Sequence, residues 1–212
     1  MKLVITLAAV LVAVVIARAE VSMGFVGGLN IANVSGTDSD GDAVKPAPDS
    51  KMGFAGNVFI EVPFSDAIAL DLGVGYSMIG FQQSGTVPLF GEYKNDASGG
   101  YLVFPVLLKA RIDAGSVLPY IALGPEFGVL MSAEQTVTLL GTTTTTDVKS
   151  DTKSLDIGLN LGGGLEFNAG YVFPFIQAGY VMGLSNLVKD PTGDESQKNT
   201  GIRIQAGVRI KM

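Results

Sequence analysis

The sequence predicts an all-β protein, an eight-stranded antiparallel up-and-down transmembrane β-barrel with short periplasmic turns and long outer loops. Three observations predict it. Eight segments alternate apolar and polar residues with a period of two, and the connections between them alternate short and long. Beyond residue 19 no run of 18 apolar residues offers a helical span, so any later crossing of a membrane must be made by strands.

Residues 1–19 read as an export signal. Lys2 precedes an apolar run from Leu3 to Ile16, and Ala17-Arg18-Ala19 has the small-x-small form of a cleavage site. The run is short for a transmembrane helix, which needs about 20 apolar residues. The expected division is therefore a signal peptide over 1–19 and an outer-membrane barrel domain over 20–212.

The last segment has the clearest period. From Gly201 to Met212, Ile202, Ile204, Ala206, Val208, Ile210 and Met212 share one face, and Gly201, Arg203, Gln205, Gly207, Arg209 and Lys211 share the other. Seven earlier segments repeat the pattern. In Val21–Val34, Met23, Phe25, Leu29 and Ile31 oppose Ser22, Gly24, Gly28, Asn30 and Ala32; in Met52–Phe64, Phe54, Val58, Ile60 and Val62 oppose Ala55, Asn57 and Glu61. Ile68 to Met78 sets Leu70, Leu72, Val74 and Tyr76 against Ala69, Asp71, Gly73 and Ser77. Tyr101–Ile112 sets Leu102, Phe104, Val106 and Leu108 against Lys109 and Arg111. Ile121, Leu123, Phe127 and Val129 oppose Ala122, Gly124, Glu126 and Gly128; Ile157, Leu159, Leu161, Leu165 and Phe167 oppose Asp156, Asn160 and Glu166. Tyr171–Leu184 is the least regular, with Ile176, Tyr180 and Met182 opposite Gln177 and Gly179.

The connections Gly36–Lys51, Gly80–Gly100, Ser132–Lys153 and Ser185–Thr200 are long and polar, whereas Pro63–Asp66, Asp113–Val117 and Asn168–Gly170 are short. Short periplasmic turns and long outer loops are the membrane-barrel arrangement. The polar faces are mostly Gly, Ala, Ser and Asn, which suits a narrow lumen filled by side chains better than a water-facing sheet rich in Lys, Glu and Thr. Thr142–Thr146, preceded by Thr136-Val137-Thr138-Leu139-Leu140, predicts a hairpin beyond the membrane with its tip near Gly141. Phe64, Phe167 and Tyr171 fall near the short turns, where an interfacial girdle would sit.

Composition excludes several function classes. At 47% hydrophobic and 16% charged the chain is apolar for a water-soluble protein. It has no Cys and no His, which removes thiol chemistry, Cys-ligated metal and the commonest general base and metal ligand. A net charge of -6, without any Lys/Arg cluster, argues against a nucleic-acid partner. Gly162-Gly163-Gly164 lies within strand alternation and is no phosphate-binding loop. No cofactor, metal or catalytic residue is expected.

The strings VGGLNIANVSG at 26–36, VFIEVPFSD at 58–66, LGVGYSMIG at 72–80, YLVFPVLLK at 101–109, YIALGPEFG at 120–128 and GYVMGLSNL at 179–187 resemble the PorT-like outer membrane protein β-barrel domain family of Bacteroidetes and Chlorobi. Val103 stands where that family often has an acidic residue, and Met212 where such barrels commonly end in an aromatic. The resemblance implies an eight-stranded barrel in the outer membrane, with one branch of the family associated with protein secretion.

The polar faces carry Glu61, Asp71, Glu126, Asp156 and Glu166 against Lys109, Arg111, Arg203, Arg209 and Lys211, five charges of each sign. Such a balance is expected of a lumen closed by paired charges, with Glu61 placed across from Asp71 by the turn between them. An acid–base site at Glu61 and Asp71 lacks a nucleophile. The reading that follows is a non-enzymatic barrel, structural or binding a protein partner through its outer loops and otherwise contacting outer-membrane lipids. The alternatives are a narrow channel or transporter for small solutes or lipids, and a component supporting protein secretion. Leu89 and Phe90, in an apolar loop tip, are a possible contact. Asp38-Ser39-Asp40-Gly41-Asp42 resembles the start of a calcium loop but lacks the closing Glu, and reads as a solvated acidic turn.

Overall fold

The computed structural model describes residues 20–43, 49–87 and 91–212. The expected export signal at 1–19 and the loop tip with Leu89 and Phe90 lie outside these residues. The strands are β1 (Ser22–Thr37), β2 (Asp49–Pro63), β3 (Ile68–Val87), β4 (Gly91–Arg111), β5 (Val117–Leu139), β6 (Thr142–Asp147), β7 (Leu155–Phe167), β8 (Val172–Gly183) and β9 (Ser196–Lys211). All pairings between them are antiparallel.

Eight of the strands close into a ring in the order β1-β2-β3-β4-β5-β7-β8-β9, with β9 returning to β1. All sixteen residues of β1 pair with β9 without a shift, from Ser22 opposite Lys211 to Thr37 opposite Ser196. In hydrocarbon this closure leaves no edge whose N–H and C=O groups lack partners. The sixth strand stands outside the ring. Among the described residues it pairs with the end of β5 alone, from Leu139 opposite Thr142 to Glu134 opposite Asp147, and the turn at Leu140-Gly141 is the hairpin tip expected from sequence.

The alternation is inverted relative to a water-soluble barrel. Phe25, Leu29, Val58, Ile121 and Ile204 are each more than half exposed, whereas Asn30, Glu61, Lys109 and Glu166 are at most 2% exposed. An outer surface of large apolar side chains around an interior of polar ones is stable only where the outside is lipid. Phe64, Phe167 and Tyr171 are exposed at the end of the short turns.

Each short turn is held by a side-chain oxygen. Asp113 accepts from the Gly115 amide at 2.8 Å, Asn168 from the Gly170 amide at 3.1 Å, and Ser65 Oγ from the amides of Ala67 and Ile68 at 3.3 and 3.1 Å. Gly115 and Gly170 sit at φ of 84° and 83°, where a Cβ would be strained.

The opposite end differs from the sequence expectation. Most of the connection Gly80–Gly100 is strand: β3 and β4 stay in register from Phe81 opposite Ala97 to Val87 opposite Gly91, and β4 pairs β5 as far as Tyr93 opposite Leu139. These extensions make β3, β4 and β5 20, 21 and 23 residues long, about twice the 9–11 that cross a membrane. The extensions of β3 and β4 alternate little, because outside the bilayer water replaces lipid, whereas that of β5 keeps the Thr136-Val137-Thr138-Leu139 alternation that predicts the hairpin.

A lipid-facing charge should act locally. Val58→Arg is expected to destabilise the refolded barrel by about 2–4 kcal/mol, whereas Thr144→Arg on exposed β6 should shift it by no more than about 0.5 kcal/mol. Urea unfolding in phospholipid vesicles measures both.

Candidate functional site in the barrel lumen

The inward faces are stacked in layers that follow one another outward from the short turns. The first is a charge cluster contributed by five strands: Glu61 from β2, Asp71 from β3, Lys109 and Arg111 from β4, Glu166 from β7 and Arg209 from β9. Glu61 is directly opposite Asp71 in the β2–β3 register. The Lys109 ammonium is bonded to Glu166, lies 3.0 Å from Glu61 Oε2 and 3.9 Å from Asp71 Oδ2. Arg111 Nη2 is 2.5 Å from Glu61 Oε1, and Arg209 Nη2 donates to Glu166 Oε2 at 3.0 Å. Three carboxylates thus face three cations. The Arg209 guanidinium also lies 4.0 Å from the centroid of the Phe173 ring.

An aromatic layer follows. Phe59, Tyr120 and Phe175 meet edge to face, with centroids 6.1 Å apart for Phe59–Phe175 and 6.4 Å for Tyr120–Phe175, and Val26 completes the buried cluster. The Lys109 ammonium lies 4.3 Å from the Tyr120 centroid and so joins the two layers. Tyr120 donates to Gln177 at 2.7 Å, Gln177 to Gln205 at 2.9 Å, and Gln205 to the Ala55 carbonyl at 3.0 Å, a hydrogen-bonded chain across the lumen.

The third layer is a bidentate pair. Arg203 donates to both Glu126 oxygens, at 2.6 and 2.7 Å, and to Ser77 Oγ at 3.2 Å; Asn160 donates to Glu126 at 3.2 Å. A cavity of about 40 Å³ lies between the charge cluster and the aromatic layer, and one of about 30 Å³ lies at the Arg203–Glu126 pair and outward of it toward Asp156 and Asn199, each with room for isolated waters.

Two of the sequence-predicted charges stand apart from these layers. Lys211 leaves the lumen and pairs with Glu20 at the exposed rim, where the two side chains are 43% and 70% exposed. Its strand ends there, so the parity that would aim it inward has no lumen to fill. Asp156 accepts from Ser185 Oγ at 2.5 Å and from Asn199 at 2.7 Å, and among the described residues no Lys or Arg pairs with it. The five-against-five balance thus becomes an excess of one carboxylate, at the outer end of the lumen.

The aromatic layer is absent from the residues singled out by charge. Its signal was parity: Phe59 shares a face with Glu61, Tyr120 with Glu126, and Phe175 with Gln177, so each is an apolar residue on a polar face. In the first outer loop, Asp38 accepts from the amides of Asp40 and Asp42 at 3.1 and 3.0 Å, which commits one of its carboxylate oxygens to its own turn. Among the described residues no group of three or more acidic side chains is arranged to hold a metal.

Removing one member of a buried ionic cluster leaves its partners uncompensated. Lys109→Met should cost about 3–5 kcal/mol of unfolding free energy, and Lys109→Met combined with Glu166→Gln should recover a large part of that loss. Denaturant unfolding of the refolded barrel checks both.

Among curated proteins none matches the sequence. The fold is similar to the crystal structure of Neisserial surface protein A, at 15% identity and a TM-score of 0.43 over 89% of this chain and 97% of that one. It is also similar to Ail, the attachment invasion locus protein of Yersinia pestis, at 17% identity and a TM-score of 0.41 over 90% and 99%. Against the outer membrane protein OprG from Pseudomonas aeruginosa, identity is 13% and the TM-score 0.48, over 92% and 98%. The model of the outer membrane protein beta-barrel domain matches residues 17–189, most of the chain, and the protein belongs to that family.

Proposed function

We propose that this outer-membrane barrel is non-enzymatic and non-conducting, and that it acts at its outer face, by holding a partner on the loops and extended strands around its mouth. The observation that carries this reading is the stack inside. A charge cluster, an aromatic layer and a bidentate ion pair follow one another along the lumen, and the spaces left beside them are of single-water size. A path for solutes would need those layers to part, breaking ion pairs whose members are almost fully buried. The outer end is built for contact instead, because it carries β strands well beyond the membrane and the β5–β6 hairpin with its Thr142–Asp147 strand exposed along its length. Loops on a rigid scaffold are where binding commonly resides.

In this reading residues 1–19 direct export and are removed. The PorT-like resemblance favours a partner among the components of protein secretion, without itself naming one.

Planar-bilayer recording of the mature chain, refolded in detergent and checked by heat-modifiable gel migration, is expected to give no steady conductance. Steady openings whose selectivity shifts in Lys109→Met or Arg111→Met would replace this reading with a channel. Excising residues 136–145, which removes the hairpin end and the outermost β4–β5 pairs while leaving the ring intact from Ala97 opposite Gln135 inward, is expected to preserve heat-modifiable folding and to abolish partner capture from cell envelopes.

A further inference from the structure

The ring is closed within the bilayer, but the sheet opens again above it. β5 runs past its partner β7 and takes β6 as its new neighbour, so β6 is the last strand of the sheet and, among the described residues, has no ladder partner on its far side. The turn decides which of its backbone groups are left over. Leu140 and Gly141 both hold positive φ, 53° and 76°, the two-residue turn that closes on a pair exchanging both backbone bonds, here Leu139 with Thr142. Bonded pairs then alternate along the strand. Thr142, Thr144 and Thr146 turn their N–H and C=O to β5, and the bond from the Val148 amide to the Ala133 carbonyl at 3.0 Å continues the same phase. The backbone groups of Thr143, Thr145 and Asp147 therefore point to the open edge.

The devices that blunt such an edge in other proteins are missing. Residues 142–146 are all threonine, with no Lys, Pro or Gly among them, every residue of β6 is exposed, and β-branched side chains favour a strand. Hydroxyl contacts of 3.0 Å between Thr136 and Thr145 and between Thr138 and Thr143 hold β6 to β5, so the edge is presented already ordered. Two local features are unfavourable in the free protein. At the base, Glu134 stands directly opposite Asp147, and neither carboxylate has an ion-pair partner among the described residues. At the tip, Leu140 is a bulky residue at a φ that favours Asn, Asp or Gly, and it is 68% exposed. A basic side chain answers the first and an apolar one the second.

We propose that the open edge of β6 takes up an extended segment of a partner protein as an additional antiparallel strand, with Lys or Arg beside Asp147 and an apolar side chain beside Leu140. Main-chain bonds from Thr143, Thr145 and Asp147 hold the added strand. A second copy in the same membrane fits poorly, because its β6 also runs from tip to bilayer: two copies would meet in parallel, with their Asp147 carboxylates at one height. The proposal gives the outer-face reading its partner class and its mode of contact, and rests on that reading.

The test uses the full mature chain, refolded in zwitterionic micelles, and a head-to-tail cyclised β-hairpin peptide as probe. One strand of the peptide alternates threonine and valine, with lysine at the end that meets Asp147 and leucine at the end that meets Leu140. In the free barrel the amides of Thr143, Thr145 and Asp147 are expected to exchange with solvent faster than those of Thr144 and Thr146, and the probe is expected to bind saturably and to slow them. Methylating the backbone nitrogens on the probe's bonding edge should abolish saturation, whereas methylating its opposite edge should leave the affinity unchanged. Thr145→Pro removes an outward N–H without touching the bonds to β5, and should lower the affinity about ten-fold; slow exchange at Thr144 and Thr146 checks that its hairpin survives. Failure to saturate, equal binding of the two methylated probes, or unchanged affinity in a folded Thr145→Pro would each overturn the proposal. Slowing of the edge amides by raised barrel concentration alone would overturn it in favour of a second copy. Capture from cell envelopes separates the two readings: capture lost on excising 136–145 but kept in Thr145→Pro would discard strand addition and leave the outer-face reading standing, and capture that survives the excision would discard the outer-face reading itself.

Discussion

The antiparallel pairing of β1 with β9 is the interaction on which the remainder depends. A strand in hydrocarbon cannot leave its N–H and C=O groups to water, so a sheet in a membrane persists only if its two ends meet. Here they meet over the whole of β1, in one register, from the rim beside Glu20 to the start of the outer loops. With the ring closed, the two faces of each strand acquire opposite fates. Apolar side chains such as Phe25 and Ile204 turn to lipid, and the small and polar ones are forced into a lumen too narrow for water to solvate them.

That narrowness explains the chemistry inside. A carboxylate or ammonium deprived of water is unstable unless other charges replace the solvent, and each of the deep charges in this barrel has such replacements from a different strand. Lys109 is the clearest case, with Glu61, Asp71 and Glu166 around its ammonium and the Tyr120 ring beneath it. Because its partners come from β2, β3 and β7, the cluster also ties together strands that do not neighbour one another in the sheet. The aromatic layer and the Arg203–Glu126 pair repeat the principle with different materials, so the interior is a set of cross-braces along the barrel axis.

Toward the outside this logic relaxes. Strands continue past the bilayer, water is available, and Asp156 can stand with Ser185 and Asn199 alone. The cavity above it has what the deep lumen lacks, namely open volume over an apolar floor of Tyr101, Leu130 and Ala133. The scaffold is thus rigid where it crosses lipid and chemically free where it meets the surroundings.

Much of the fold was legible in the sequence because a membrane barrel writes its environment into a period of two. The eight spans, the faces of Phe25 or Glu61, the short turns at Asp113 and Asn168, and the hairpin tip at Gly141 follow from alternation and turn chemistry, which are local properties. Tertiary structure alone decided what depends on depth and on neighbours across the ring. It carried β3 and β4 beyond the membrane, where water on both faces weakens the alternation. It placed Lys211 on the rim, since parity says which face a side chain takes but not whether a lumen lies behind that face. It gathered Phe59, Tyr120 and Phe175 into one layer and Tyr101, Leu130 and Ala133 into another, because strand stagger, which no single strand encodes, determines which residues share a height.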